Sequence, residues 1–257
     1  MEFLTSALAE YPTTLWTFAP LVVLFAYFLF GIGGFGSAII MVPLLAHWLP
    51  LTFAVPLVVL LDLVASSLVG RASRQSISMP ELKRLLPYFI VGIVIGVTLL
   101  VTLPQRPALI ALGLFCLVVG VQSIFSPGFS GAISKWWAIP AGLIGGMLGA
   151  MFGTGGPIYV VYLSKRLSDK TQIRATISTI ISISTAIRAV SYAVSGLLLS
   201  AKLLVGAAVL LPLMYLGLKI GSRVHLSLTD TQMRKAVGVL LLLSGASLLL
   251  RNLLTAT

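Results

Sequence analysis

The chain has 257 residues, of which 58% are hydrophobic and only 9% are charged, and its mean hydropathy is +1.10. A soluble domain needs a polar surface, so this composition excludes a soluble globular protein and indicates an integral membrane protein. The net charge of +11 comes from Lys and Arg that lie mostly in loops between apolar segments. This pattern is typical of membrane topology rather than of nucleic-acid binding.

Eight apolar segments follow one another along the chain. They cover residues 15–48, 53–69, 85–103, 108–125, 136–163, 173–194, 201–221 and 233–250. The polar stretches between them are too short to fold on their own. The first and fifth segments differ from the others because glycine-rich breaks interrupt them, at residues 31–36 and 153–157. The pattern predicts an all-α membrane protein with two broken segments.

The order of the segments indicates an internal duplication. A shift of 122 residues superposes the two breaks, matching Phe30, Gly31, Gly33 and Gly34 with Phe152, Gly153, Gly155 and Gly156. A shift of 125 residues superposes later positions, matching Pro87, Gly92, Gly96, Gly113 and Gly120 with Pro212, Gly217, Gly221, Gly238 and Gly245. We interpret residues 1–130 and 131–257 as two membrane repeats of four elements each.

The distribution of basic residues decides how the broken segments meet the bilayer. If all eight segments crossed, the 15 Lys and Arg of the loops and tails would divide 7 to 8 between the two sides. If each broken segment is instead a hairpin that dips in and returns, they divide 12 to 3, as the positive-inside rule requires. The length of the first segment also favours a hairpin. Residues 15–48 as one helix would measure about 51 Å, whereas the membrane core is about 30 Å thick.

Each half then has one re-entrant hairpin followed by three transmembrane helices. Three is an odd number, so the two halves are predicted to have opposite orientations. Inverted repeats with broken helices are typical of secondary transporters, whose substrates bind near the middle of the bilayer. We therefore predict one transport domain with multiple passes through a bacterial inner (plasma) membrane. Both termini are predicted on the periplasmic or extracellular side.

The two breaks are the strongest candidates for a binding site. Unwound backbone at membrane depth lines a cavity or lies buried in protein. The start of a half-helix offers an anion free N–H groups and a positive dipole end. The alternative is close helix packing, which we expect for the glycine pairs Gly92/Gly96 and Gly217/Gly221. The predicted substrate-binding residues of the breaks are Gly33, Gly34, Phe35, Gly36, Thr154, Gly155, Gly156 and Pro157.

Polar residues inside the crossings add three candidates. Arg188 carries a planar, permanently charged group suited to an anion, and Ser184 lies on the same helical face. The alternatives are that Arg188 snorkels to the near end of its helix and that the hydroxyl bonds backbone carbonyls. Asp62 is the only acid within the predicted crossings and a candidate for proton coupling. Its alternative role is a structural carboxylate, and depth argues against an Asp62–Arg188 ion pair.

Metal and redox chemistry find no support in the sequence. The single cysteine, Cys116, excludes an intrachain disulfide, and His47 and His225 lie far apart, near segment ends. We therefore predict no metal site, no catalytic residue and no cofactor.

Together, the paired breaks, the duplication into four plus four elements, the chain length and the basic loops resemble the sulfite exporter TauE/SafE family, also called TSUP. The resemblance covers residues 15–250. Phe35 and Pro157 depart from a plain glycine pattern, which bears on the shape of the pocket. The resemblance implies a secondary transporter that exports small sulfur-containing anions, such as sulfite or organosulfonates, with proton coupling.

Two other functional classes fit parts of the sequence. A passive anion channel could use the same breaks, and flux against a concentration gradient separates it from a transporter. A membrane enzyme lacks support, because there is no HExxH motif, no Gly-x-Ser-x-Gly elbow and no acidic pair within the predicted crossings. The predicted partners are a small anion and the lipid bilayer, without nucleic acid. The sequence leaves open whether the chain forms a homodimer.

Overall fold

A computed structural model describes residues 13–33, 36–69, 76–125, 133–223 and 230–254. Within these residues the chain is helical apart from short connections, which confirms the predicted all-α fold. The helices of the first half are α1 Thr13–Gly33, α2 Ser37–Leu45, α3 Leu51–Val69, α4 Met79–Thr102 and α5 Gln105–Phe125. Those of the second half are α6 Ala138–Phe152, α7 Gly156–Ser164, α8 Lys170–Val194, α9 Ala201–Arg223 and α10 Asp230–Leu254, with a short 3-10 helix, Lys135–Trp137, before α6.

Six of the described helices are long and apolar enough to cross a membrane, namely α3, α4, α5, α8, α9 and α10. Their apolar stretches of 18 to 24 residues correspond to roughly 27–36 Å of helix, which matches a bilayer core. Three crossings in each half are the number that the hairpin interpretation predicts. The chain is a multi-pass membrane protein.

Helix α4 begins at Met79, earlier than the predicted start at residue 85. Pro80 suits the first turn of a helix, where its missing N–H costs nothing. The charged Glu81 is tolerated because Arg84 and Arg166 bond its carboxylate at 2.7 and 2.9 Å. Glu81 is therefore a second acid in a spanning helix, and the prediction that Asp62 is the only one was wrong.

Each broken segment forms two helical arms joined at a glycine. Gly36 and Gly153 have φ angles of 107° and 72°, a left-handed conformation that glycine adopts without steric cost. In the second hairpin, a Cβ on Gly155 would overlap the carbonyl oxygen of Gly145, so α7 folds back directly along α6. The first hairpin likewise brings α2 against α1.

Contacts between segments define two ends of the helical bundle. Arg174 in the first turns of α8 donates to the carbonyl of Ile32 near the end of α1, at 3.1 Å. We name this the basic end, and it holds Lys83, Arg84, Arg166 and Arg174. At the opposite end, Arg251 donates to the carbonyl of His47, at 2.6 Å. We name this the His47 end; Arg106 also lies there, donating to the carbonyl of Asn252.

The helix boundaries repeat at a constant spacing of 119 residues in the first three elements of each half. The corresponding boundaries are Gly33 and Phe152, Ser37 and Gly156, and Leu51 and Lys170. The sequence-based shift of 122 residues therefore misaligns the breaks by three positions, and Gly36 rather than Gly33 corresponds to Gly155. Glycine-rich stretches match at several shifts, so glycine identities alone do not fix the alignment.

Glycines form the seams between the two halves. A Cβ on Gly92 would overlap the carbonyl oxygen of Leu143, and one on Gly217 would collide with that of Leu24. Leu24 and Leu143 are again 119 residues apart, so α4 packs on α6 as α9 packs on α1. The packing role predicted for Gly92 and Gly217 is confirmed.

Helices α5 and α10 pack against each other in antiparallel directions. Gly113 contacts Gly245, and Gly120 contacts Gly238. The predicted shift of 125 residues takes Gly113 to Gly238 and Gly120 to Gly245. The repeat therefore converts each of these two contacts into the other. The inverted repeat itself stays a prediction. The orientation of each half relative to a bilayer stays a prediction.

Candidate functional site

A cavity of about 370 Å³ lies between the two breaks, a volume typical of small-molecule sites. The first break contributes Gly36 and Ser37 to its wall, and the second contributes residues 153–157. Gly153 packs on the first turn of α2, where a Cβ on it would lie 2.8 Å from the Cβ of Ala38. The two breaks are therefore direct neighbours and share one cavity.

Arg188 reaches the cavity from α8, and its side chain is buried. Its Nη1 donates to the carbonyl of Gly149 at 2.8 Å, and its Nη2 donates to Oγ1 of Thr185 at 2.9 Å. Both bonds point the side chain back along α8, toward the interior of the bundle, as helical side chains prefer. The alternative that Arg188 snorkels to the near helix end is therefore wrong. Its Nε has no partner among the described residues.

Two further buried polar atoms on the cavity wall lack a partner among the described residues. They are Oγ1 of Thr154 and the phenolic oxygen of Tyr159, whose side chains are 2% and 1% exposed. Buried polar groups are normally hydrogen-bonded, so three unpaired groups in one cavity call for a ligand or solvent partner. With the buried hydroxyl of Ser184 they form a set of donors that we name the polar pole: Thr154, Tyr159, Ser184 and Arg188.

Tyr159 was not predicted from the sequence. It lies on the first turn of α7, and its ring packs against Gly145, where a Cβ would lie 2.5 Å from a ring carbon. Gly145 therefore provides the room for the ring. A tyrosine just after the Gly-Gly-Pro break was the available signal, but the sequence does not reveal which face of α7 turns toward the cavity.

Asp62 lines the cavity from α3 and is buried. Its Oδ1 accepts bonds from the hydroxyls of Tyr27 at 2.7 Å and Ser37 at 2.6 Å. The carboxylate thus connects α3 to both arms of the first hairpin, which agrees with the structural alternative for this residue. Among the described residues, no ion pair joins Asp62 to Arg188. This was expected from the different depths of the two residues in the membrane. Tyr27 and Ser37 were not predicted.

Most of the predicted site residues lie together on the wall of this cavity. They are Gly36, Asp62, Thr154, Gly155, Gly156, Pro157, Ser184 and Arg188. Gly155 also has a packing role, because it lies against the Gly145 carbonyl. Gly33 ends α1. Gly34 and Phe35 lie outside the described residues.

The second hairpin is fixed to α4 at the basic end. Glu81 accepts a bond from the hydroxyl of Tyr162 on α7 at 2.5 Å, and Arg166 donates to its other oxygen. Near the second break, the hydroxyl of Tyr192 on α8 donates to the carbonyl of Ala150 in the last turn of α6. The last turn of α6 and the end of α7 are thus each held to a spanning helix.

The chain is similar to known membrane proteins over most of its length. The sequence pattern of the family described as "Sulfite exporter TauE/SafE" matches residues 19–248. The chain is 31% identical over 193 residues to "Probable inner membrane transporter protein TsaS" of Comamonas testosteroni, an alignment that covers 75% of this chain and 81% of that protein. No solved structure gives a significant match. With a family match of this extent, this chain belongs to the sulfite exporter TauE/SafE family.

Proposed function

We propose that this chain is a secondary transporter that binds small sulfur-containing anions at the polar pole and carries them across the membrane. The observation that carries the proposal is the Nε of Arg188, a buried donor on the wall of a cavity between two broken helices that has no partner in the part of the chain that the structure describes. A buried donor without a partner is costly, and an oxyanion in the cavity would remove that cost.

The chemistry of the polar pole suits an oxyanion. Arg188 supplies a permanent positive charge, and neutral hydroxyl donors come from Ser184 on the same helix, from Thr154 at the second break and from Tyr159 on α7. Hydrogen bonds from a charged donor to an anionic oxygen are stronger than neutral ones. The choice of sulfur is supported by the name of the family, and the choice of transport by the names of both the family and the relative.

A transporter fits the cavity better than a passive channel does. The cavity wall reaches the basic end through Gln122 and Ser123 near the end of α5 and through Ser164 at the end of α7. We name these three residues the mouth. Of the described residues that line the wall, none is one of those named at the His47 end, His47, Arg106 and Arg251, whereas a channel needs a continuous path. A site open to one side at a time is what alternating access requires.

Export and proton coupling are the finer parts of the proposal. The mouth lies toward the basic end, which the positive-inside rule assigns to the cytoplasm, so in this proposal substrate enters from inside the cell. Asp62 lies in the same cavity and connects α1, α2 and α3 through its bonds to Tyr27 and Ser37. Gain or loss of a proton there would alter how the first hairpin is held while the anion is bound.

Ligand-dependent thermal stability and gradient-driven flux test the proposal. Purified protein is titrated with sulfite, thiosulfate, sulfoacetate and taurine, and we expect at least one to raise the Tm with concentration, because a ligand of the native state stabilises it. Reconstituted protein should then move that anion against its concentration gradient when a proton gradient is applied.

Substitutions of two arginines test whether the stabilising anion binds at Arg188. Arg188→Ala should abolish the stabilisation by anions, and Arg188→Lys should keep part of it by keeping the charge. Arg106→Ala removes an exposed guanidinium at the His47 end and should leave the stabilisation unchanged. Equal stabilisation of the wild type and Arg188→Ala would reject the site. Flux that only follows the anion gradient would reject the transporter in favour of a channel.

A further inference from the structure

We propose that the anion passes between the cavity and the His47 end through a second opening, between α2 and α10, which is closed in this structure. The inference rests on the proposed function, because a second opening is needed only if an anion crosses the membrane. Its basis is a correspondence between α2 and α10 and the two helices that carry the mouth, α7 and α5.

The mouth and the proposed opening occupy corresponding places in the two halves of the chain. Helices α2 and α7 start 119 residues apart, and α5 and α10 start 125 residues apart. Helix α2 packs against α10. In the described part of the chain, α7 and α5 show no such packing, and both contribute residues to the mouth. Of two corresponding helix pairs, one is therefore closed and the other is open.

The same correspondence identifies the residues of the second opening on α10. The three α5 residues on the cavity wall have counterparts at a shift of 125 residues: Val119 corresponds to Ser244, Gln122 to Ser247 and Ser123 to Leu248. Ser244 and Leu248 are buried, and the hydroxyl of Ser247 lies beside the imidazole of His47. The α10 face that corresponds to the mouth therefore meets the end of α2.

Ser244 is the residue that distinguishes a path from simple packing. Its side chain is 6% exposed, and its Oγ has no partner among the described residues. A buried hydroxyl without a partner is costly, and packing alone does not require one. Ser244 follows Val237 by seven residues, which places it on the same face of α10 and about 10 Å nearer the His47 end. Val237 lines the cavity, so Ser244 continues its wall.

An aromatic pair lies between the cavity and the proposed opening. Phe115 precedes Val119 by one turn of α5, on the side of the His47 end. Its ring stacks on that of Phe152, the last residue of α6, with the ring centroids 6.2 Å apart. Phe152 directly precedes Gly153 of the second break, so a shift of the second hairpin would move its ring away from Phe115. Opening of the path thus requires movement of a hairpin.

Two polar contacts fix the end of α2 to α10. The Nε2 of His47 lies 3.0 Å from the Oγ of Ser247, and Arg251 donates to the carbonyl of His47. At a shift of 119 residues, His47 corresponds to Arg166, which instead bonds Glu81 on α4. The end of α7 is therefore held to α4, away from α5, while the end of α2 is held to α10. Contacts of this kind are weak enough in water to break during transport.

A cross-link that keeps α2 on α10 is the first test. His47→Cys and Ser247→Cys are combined in a Cys116→Ala background and joined with a short bis-methanethiosulfonate. Uptake into proteoliposomes is measured with whichever of sulfite, thiosulfate, sulfoacetate and taurine raises the Tm of the wild type. We expect cross-linking to reduce uptake by at least about tenfold, because a site that stays open to one side cannot release its anion to the other. Reduction of the cross-link should restore uptake.

The anion should still raise the Tm of the cross-linked protein, because the mouth stays open. The matched control combines Arg106→Cys and Asn252→Cys, which joins α5 to α10 at the same end of the bundle. These two helices pack through glycines along their length, so this cross-link should leave uptake and the Tm shift unchanged. Unchanged uptake after the His47–Ser247 cross-link would overturn the proposed opening. Loss of the Tm shift on that cross-link would also overturn it.

The reaction of Ser244→Cys with a hydrophilic maleimide, in the same background, is a second test that uses no anion. Ala207→Cys on α9 is the control, because Ala207 is also 6% exposed. We expect Ser244→Cys to react faster than Ala207→Cys. Adding Ser247→Ala should increase its rate about fivefold, the effect of losing one ordinary hydrogen bond that favours the closed state. The rate of Ala207→Cys should not change. Equal rates at the two positions, or no effect of Ser247→Ala, would overturn the opening.

Failure of this inference and failure of the proposed function give different results. Unchanged uptake in the cross-linked protein would place the exit elsewhere, while the anion site between the breaks stands. If none of the four anions raised the Tm of the wild type and none were taken up, the proposed function would be rejected. The maleimide test would then still decide whether α2 and α10 separate.

Discussion

Arg188 and Gly149 are joined by a hydrogen bond of 2.8 Å from the guanidinium Nη1 to the backbone carbonyl, one turn before the second break. The bond fixes a charged side chain of a spanning helix to the end of a broken one. Nη1 and Nη2 each keep a second N–H beyond the anchoring bond, and Nε has no partner among the described residues, so the anchored guanidinium still has donors for a ligand. Anchoring and binding can therefore be separated by mutation.

Thr185→Val removes the second anchor of Arg188 and keeps the charge. We expect a lower Tm, because a hydrogen bond from a charged group, worth about 1.5–3 kcal/mol, is lost, and an anion affinity that stays within about threefold of the wild type. Thermal unfolding with and without ligand measures both quantities. If Thr185→Val abolished binding as fully as Arg188→Ala, the anchor and the binding group would not be separable.

Tyr159→Phe should weaken anion binding about fivefold to tenfold, as expected for the loss of one hydrogen bond of about 1 kcal/mol. The protein without ligand should not lose stability, because the removed hydroxyl has no partner among the described residues. Tyr192→Phe is the matched control. Its hydroxyl bonds the carbonyl of Ala150, so this variant should lower the Tm. A lower Tm with unchanged affinity in Tyr159→Phe would show that Tyr159 is only structural.

Asp62→Asn should abolish transport driven by a proton gradient while anion exchange continues, if Asp62 carries the coupling proton. Flux assays with reconstituted protein, with and without a pH gradient, make this measurement. Tyr27→Phe removes one hydroxyl bond and keeps the carboxylate, so coupled transport should persist at a reduced rate. An unchanged pH dependence of transport in Asp62→Asn would remove Asp62 from the mechanism.

Replacing a glycine by valine should have different effects at the cavity and in the packing seam between helices. Gly156→Val places a side chain in the cavity wall, so we expect loss of anion binding in a protein that still inserts and is monodisperse. The same result is predicted for Gly34→Val, at a position outside the described residues. Gly92→Val should reduce yield instead, because its Cβ would overlap the Leu143 carbonyl. Size-exclusion profiles and ligand-induced Tm shifts compare the variants, and normal yield of Gly92→Val would contradict the packing role.

The two ends of the bundle predict the results of reporter fusions. Fusions after His47 and after Arg251 should both report outside, because these residues contact each other at the His47 end. A fusion after Arg166 should report inside, since the basic end is assigned to the cytoplasm. A fusion after His47 that reports inside would contradict the hairpin topology.

The sequence was sufficient to predict six helices long and apolar enough to span a membrane and the two segments that are broken at glycines. Segment length, glycine clusters and the placement of Lys and Arg are properties of single segments, and they decide these features. The start of α4 was missed because Glu81 is stabilised by Arg166 and Tyr162 from a distant segment. Local sequence does not reveal that contact.

The binding residues could be predicted only in part. Arg188, Thr154 and Ser184 stand out as polar residues in apolar surroundings. Tyr159 does not stand out, because a tyrosine ring can be buried for packing alone. Its role depends on the face that a nine-residue half-helix turns toward the cavity, and so short a helix carries no clear periodicity. The alignment of the two breaks failed for a related reason, because glycine matches glycine at several shifts.

The most direct measurement is a crystal structure with bound selenate, a heavier analogue of a sulfur oxyanion, located by the anomalous signal of selenium. We expect one selenium peak in the cavity between the breaks, with oxygens within hydrogen-bond distance of Arg188 Nε and Thr154 Oγ1. A peak only among the arginines of the basic end, or no peak at a selenate concentration that raises the Tm, would contradict an anion site at the polar pole.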